Sequence, residues 1–178
     1  MDNVAYYCSA CLIIFVRKYF FMLKKISNPW VGIQGYNCFG CCPDNEFGLH
    51  LQFYEDGDFV VSHFKTDIHY QSWINTLHGG IQATLLDEIS GWAVSRKLQT
   101  TGYTVKMEVR YRKQLSTSGE QLTLRAHIAG VRHSMATVEA EIINGDDEVC
   151  TSATVVYMVA TPEKAAQMGF KGCPLEDE

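Results

Sequence analysis

No stripe of lysine and arginine runs through this 178-residue chain, whose formal net charge is −5. Nothing is therefore arranged to neutralise a phosphate backbone, and nucleic acid is excluded as the expected partner. A secretory signal is lacking too. The apolar run from Val4 to Val16 has Asp2 before it and Arg17-Lys18 after it, with neither a basic start nor a small-residue cleavage site. It is also shorter than the roughly 20 residues of a bilayer-spanning helix, so no stable membrane insertion is expected. Complete cysteine pairing is missing as well, because seven is an odd number and the cysteines cluster unlike a secreted disulfide framework. A reducing compartment, the cytoplasm, is expected.

What is present is apolar residue enough, at 47%, for one sizeable core. The expected layout is an N-terminal extension over residues 1–27, one domain over 28–162 and a C-terminal tail over 163–178. Met22, followed by Leu-Lys-Lys-Ile, reads as an ordinary protein start, which makes 1–21 an upstream segment; a membrane-associating leader is the alternative.

From Phe47 the pattern is that of strands. Gly48 to Tyr54 and Phe59 to Phe64 alternate apolar and polar residues around the turn Glu55-Asp56-Gly57-Asp58, which predicts a hairpin. Leu77 to Lys97 then recurs at helical spacing through Ile81, Leu85, Ile89 and Trp92. Strands follow over Tyr103 to Leu115, Leu122 to Val131, Met135 to Ile143 and Val149 to Ala160, with short turns between them. An antiparallel sheet wrapped around one long helix is the simplest α+β arrangement that buries a helix apolar almost all round.

Two glycines after a histidine would ordinarily stop a helix, yet His78-Gly79-Gly80 stands where this one begins. A bare first turn lets a ligand approach unpaired N–H groups, at the end of the helix dipole that favours negative charge. Asp87 follows about two and a half turns on, an acid on a face shared with Thr84, Gly91 and Val94. Gly79 and Asp87 stand about 12 Å apart along a helix rising about 1.5 Å per residue. One chain cannot aim both at one atom, so a shared reacting carbonyl requires two subunits with antiparallel helices across a two-fold axis. Exposed strand edges favour pairing as well, and a homodimer or a dimer-of-dimers tetramer is expected. The plainer reading is a capping histidine, a glycine turn and a solvated or paired Asp87. Glu88, about 100° further round the helix, is assigned as the structural partner of a cation such as Arg96 or Lys106.

Cys38-Phe39-Gly40-Cys41 has the two-residue spacing of a zinc pair, as do Cys8 and Cys11, so a four-thiolate site is formally available. The stretch around it favours a Gly/Pro/Asn-rich lead-in loop with inward-packed thiols, and neither a metal nor a cofactor is called for.

The segment Leu77 to Glu88, followed by Gly91-Trp92-Ala93, resembles the signature of hotdog-fold acyl-CoA thioesterases of the phenylacetyl-CoA-thioesterase-like branch. Cys38-Phe39-Gly40-Cys41, with Asn45 and Gly48-Leu49 behind it, is similar to a lead-in of many such proteins, and the likeness runs from about Asn28 to Ala160. The resemblance implies that the Gly79 and Gly80 amides polarise a thioester carbonyl, with His78 ordering the loop or the substrate. It implies Asp87 of the facing subunit as general base or nucleophile, and Thr104 as a hydroxyl near the lytic water. Where some relatives carry an asparagine six residues before the histidine, this chain has Ser72, with Gln71 and Asn75 nearby as candidate substrate contacts. Arg110-Tyr111-Arg112-Lys113 and Arg132-His133 are positive clusters that suit a small anionic ligand, and Arg132 is the candidate for the coenzyme A tail. Trp73, Trp92, Tyr70 and Tyr103 suit either an acyl pocket or the core. A non-catalytic acyl-ligand binding protein and an acyl hydratase or dehydratase remain the competing classes.

Overall fold

The structure is a computed structural model describing residues 23–178. Seven strands and two α-helices follow in the order β1 (Lys24–Lys25), β2 (Phe53–Asp56), β3 (Phe59–Lys65), α1 (Gly79–Leu98), β4 (Gly102–Tyr111), β5 (Gln121–Arg132), β6 (Met135–Ile143), β7 (Val149–Val159) and α2 (Pro162–Gln167). The strands form one antiparallel sheet in the order β1-β2-β3-β5-β6-β7-β4. This is the hotdog fold: one long helix lies against a sheet that curls around it.

Alternation in the strands decides which side chains meet the helix. Ala136, Val138, Ala140 and Ile142 of β6 are buried, as are Leu122, Leu124 and Ala126 of β5, and they enclose Leu85, Leu86, Ile89 and Ala93 of α1. The apolar run 77–97 is helical rather than a strand because every turn of it buries something.

Two strand boundaries differ from expectation. The hairpin's first strand begins at Phe53, not Gly48, because the preceding residues pair with the cysteine loop instead: Leu49 N–H donates to Phe39 O at 2.7 Å and Leu51 N–H to Gly40 O at 2.9 Å. β4 ends at Tyr111, since the amides of Arg112 and Lys113 both turn to Cys150 O and Leu115 O accepts from Leu77 N–H. Outside the 28–162 span, Lys24–Lys25 pairs with β2, and Phe170, Cys173 and Leu175 pack into the core. The apolar run of Val4 to Val16, the start at Met22 and the Cys8/Cys11 pair lie outside the described residues. Among the described residues no helix is long and apolar enough to cross a membrane.

Candidate active site

The helix starts where His78 caps it. Its Nδ1 accepts from Gly80 N–H at 2.8 Å, and a Cβ on Gly80 would lie 3.0 Å from that nitrogen, so the bare residue makes room for the ring. Gly80's amide is thereby taken, while Gly79 N–H has no partner among the described residues. Tyr111 holds this turn from the other side, donating from its hydroxyl to Gly79 O at 3.0 Å. A cavity of about 590 Å³ opens here, walled by Ser72, Trp73, Gly79, Tyr111, Arg112 and Lys113 among others.

Of the three candidate contacts before the histidine, Ser72 faces that cavity and Gln71 and Asn75 do not. Gln71 and Asn75 are occupied in the loop itself. Gln71 Oε1 accepts from Asn75 N–H at 2.7 Å, and Asn75 Oδ1 accepts from Ser116 Oγ at 2.8 Å and Thr117 N–H at 3.2 Å. These bonds hold Asn75 in the left-handed conformation, φ 53°. Arg132 stands exposed at the end of β5, opposite Met135, and lines neither cavity described here.

Asp87 occupies a second place. Thr104 Oγ1 donates to its Oδ1 at 2.7 Å and Tyr157 OH to the same oxygen at 2.9 Å, with Tyr157 OH also 2.7 Å from Asp87 O. Thr104 and Tyr157 are opposite one another in the β4–β7 register, just before the bulge at Thr104/Lys106, which is why both reach one carboxylate. Burial first, then the charge of Asp87, pushes the Tyr157 phenol well above its ordinary range, so it remains a donor. Tyr157 was not among the residues singled out by sequence. A tyrosine in an alternating strand looks like core, and its partner is set by a register the sequence does not display.

The Asp87 cavity measures about 370 Å³ and is lined also by Trp30, Trp92, Tyr36, Cys38 and Glu88. Here the expectation for Glu88 fails. Arg96 bonds Glu55 and Glu178, and Glu88 turns instead to the thiols of Cys38 and Cys41 in the same cavity wall. The helical wheel separated the two acids, but the lead-in loop folds over that part of the helix and gives both one enclosure. Burial, with Cys38 adding to it, pushes Glu88 up to about 8. Trp92 stacks on Phe53 at 4.3 Å, while Trp73 is 83% exposed beside the helix start.

Residues 74–151 match the family model described as the thioesterase superfamily. That segment, on a hotdog fold, is thus similar to the thioesterase superfamily. Among particular relatives, Acyl-coenzyme A thioesterase 13 of Homo sapiens is 29% identical over 86 residues, which is 48% of this chain and 61% of that protein. The match therefore takes in less than two thirds of the curated relative's length. Among solved structures, zebra fish thioesterase superfamily member 2 superposes with a TM-score of 0.55 at 21% identity, covering 61% of this chain and 80% of its own. A hypothetical thioesterase protein from Streptococcus pneumoniae, solved with coenzyme A, gives 0.57 at 22% identity, covering 62% and 88%. At these identities the likeness is one of fold.

Proposed function

We propose that the protein is an acyl-CoA thioesterase, hydrolysing an acyl-CoA thioester to free acid and coenzyme A at sites shared between two copies of the chain. One observation carries the reading: an unpartnered Gly79 amide and a carboxylate held by two hydroxyls sit on the same helix, about 12 Å apart. Neither half is a hydrolytic site alone. A second helix running antiparallel across a two-fold axis sets Gly79 of one copy opposite Asp87 of the other. The surface for that contact is β4, an edge strand on which Tyr103, Val105 and Tyr111 are 56%, 48% and 54% exposed. A homodimer is the smallest assembly that completes the site, and a dimer-of-dimers tetramer completes it equally.

In this mechanism the thioester oxygen accepts from Gly79 N–H at the positive end of the helix dipole, where a preorganised donor meets the developing charge. His78 and Gly80 fix the turn that presents this amide. Asp87 of the other copy removes a proton from water as the water oxygen bonds to the carbonyl carbon. In the nucleophilic variant its carboxylate bonds to that carbon and water then opens the mixed anhydride. Either way the C–S bond breaks and the sulfur leaves with a proton as coenzyme A. Because Thr104 and Tyr157 both donate to Oδ1, Oδ2 is left for the substrate side. Arg112 and Lys113, in the wall beside Gly79, suit the phosphates of coenzyme A. The free thiols at Cys38, Cys41, Cys42, Cys150 and Cys173 suit a reducing compartment such as the cytoplasm.

A panel of acyl-CoA thioesters, monitored for free thiol, tests the reading on the parent and on Asp87→Asn. The parent is expected to release thiol, and the variant to do so about 10²- to 10⁴-fold more slowly. Equal rates would remove Asp87 from the mechanism. Hydration of crotonyl-CoA without thiol release would move the protein to the hydratases, and binding without turnover to the acyl-ligand carriers.

A further inference from the structure

The thioesterase reading leaves three side chains in the cavity wall without a task. Cys38 Sγ lies 3.5 and 3.4 Å from the two Glu88 carboxylate oxygens, and Cys41 Sγ lies 3.7 Å from one of them. One ligand atom from each of the three lies within 4.8 Å of the others. Tetrahedral zinc, with Zn–S of about 2.3 Å and Zn–O of about 2.1 Å, sets sulfur-to-oxygen distances of about 3.6 Å. The observed spacings bracket that value.

Charge and shape point the same way. Glu88 is half-buried in the cavity wall, and among the described residues no lysine, arginine or histidine lies within ion-pair distance of it. Its neighbours are Cys38, Cys41 and Asp87, all of them acids. Such a group is costly to bury unless protons or a cation neutralise it. Cys42 N–H donates to Cys38 O at 3.1 Å, closing the turn that gathers the two thiols. Gly40 lies between them, and a Cβ there would fall 1.9 Å from Glu88 Oε2, so the carboxylate is seated directly on bare backbone. Tyr36 orients Cys41 from behind. Asn28 Nδ2 donates to the Tyr36 oxygen at 2.9 Å, and that hydroxyl lies 3.1 Å from Cys41 Sγ, placed to donate to it once the thiol is a ligating thiolate.

We infer that Cys38, Cys41 and Glu88 form a site for a zinc-class divalent cation, set in the wall of the Asp87 cavity with its fourth position open to that cavity. Two thiolates select a soft or borderline ion, and the single carboxylate completes three ligands, the number that leaves one position for water or an entering group. The site does not depend on the thioesterase reading, because its occupancy is read as metal content rather than as turnover.

The test uses the full chain, reduced and stripped with chelator, then titrated with Zn2+ against a chromophoric competitor and separately with Co2+. The expected result is one equivalent per chain and a cobalt spectrum with thiolate charge-transfer bands at the intensity of two sulfur ligands. The Cys38→Ser/Cys41→Ser double variant should lose that equivalent. Glu88→Gln should bind at least about tenfold more weakly, and Cys8→Ser/Cys11→Ser should bind as the parent does. Should a double variant misfold, the parent's cobalt spectrum still decides. No stoichiometric uptake, bands of four thiolates, an equivalent that survives Cys38→Ser/Cys41→Ser, or one lost in Cys8→Ser/Cys11→Ser overturns the site.

Discussion

Gly80 is bare because an imidazole occupies the space where its side chain would begin. An alanine there brings Cβ within 3.2 Å of two His78 ring atoms, so the ring must give by a few tenths of an ångström and the cap bond is strained. Gly80→Ala is expected to lower stability by about 1 kcal/mol in urea unfolding, the usual worth of an N-cap, and to slow thiol release as the Gly79 turn loosens. At Asp87 the informative change is Tyr157→Phe, which keeps the ring and deletes one of two donors to Oδ1. It is expected to lower kcat about tenfold with KM little changed, because it disturbs the aim of a group rather than the binding of substrate. A fall confined to KM would place Tyr157 in substrate binding instead. The sequence shows His78-Gly79-Gly80 and Asp87 as anomalies, glycines inside a helical pattern and an acid on an apolar face. Tyr157 shows no such anomaly, because its task comes from the residue opposite it on β4. Glu88 shows a misleading one, because a helical wheel contains no loop lying over the helix.

Among the elements, β4 is an edge strand whose exposed apolar residues flank both halves of the site. Val105 falls at the register shift between Thr104 and Lys106, so its side chain can be changed without a ladder bond at stake. Val105→Arg is expected to give a folded monomer in light scattering that has lost thiol release. A fully active monomer would sink the shared-site geometry. At the other end of α1, Arg96 and Lys97 both bond Glu55 of β2, with Nε to Oε2 at 2.9 Å and Nζ to Oε2 at 2.6 Å. The Arg96 bond, aided by Lys97, holds the Glu55 carboxyl down to about 2, below its ordinary 4.5. A depressed folded value means that the stabilisation is complete above the ordinary value and is lost as pH falls from about 4.5 toward 2. The melting-temperature gap between parent and Glu55→Gln should therefore be widest at neutral pH and close through that window. Strand and helix periods made these elements legible. The strand ends were not legible, because Leu49 and Leu51 alternate like a strand but spend their amides on the cysteine loop.

For the whole molecule the decisive segment is the one with the least pattern. Residues beyond β7 have no sustained period and read as a tail, yet Phe170, Cys173 and Leu175 are buried. They close the open end of the core. Ile26 bridges Leu175, Trp30 packs on Phe170 at 5.8 Å between ring centres, and Arg96 Nη1 donates to Cys173 O at 2.9 Å. Burial of this kind depends on partners more than seventy residues away, so no local window displays it. Removing residues 161–178 strips four buried side chains, Ala165, Phe170, Cys173 and Leu175, and at about 1.5–3 kcal/mol for each of the large pair, with less for the two small ones, the cost is on the order of 5 kcal/mol. Against a total of about 5–15 kcal/mol for a domain, that brings the chain to the edge of unfolding. The loss also reaches the site, because Trp30 and Trp92 meet edge to face at 5.8 Å in the wall of the Asp87 cavity. The truncated protein is expected to melt at least about 10 °C lower by circular dichroism, with thiol release falling alongside. A truncated chain that melts with the parent would mean that this end of the core closes without its tail, and the packing of Phe170 against Trp30 would then contribute nothing to the fold.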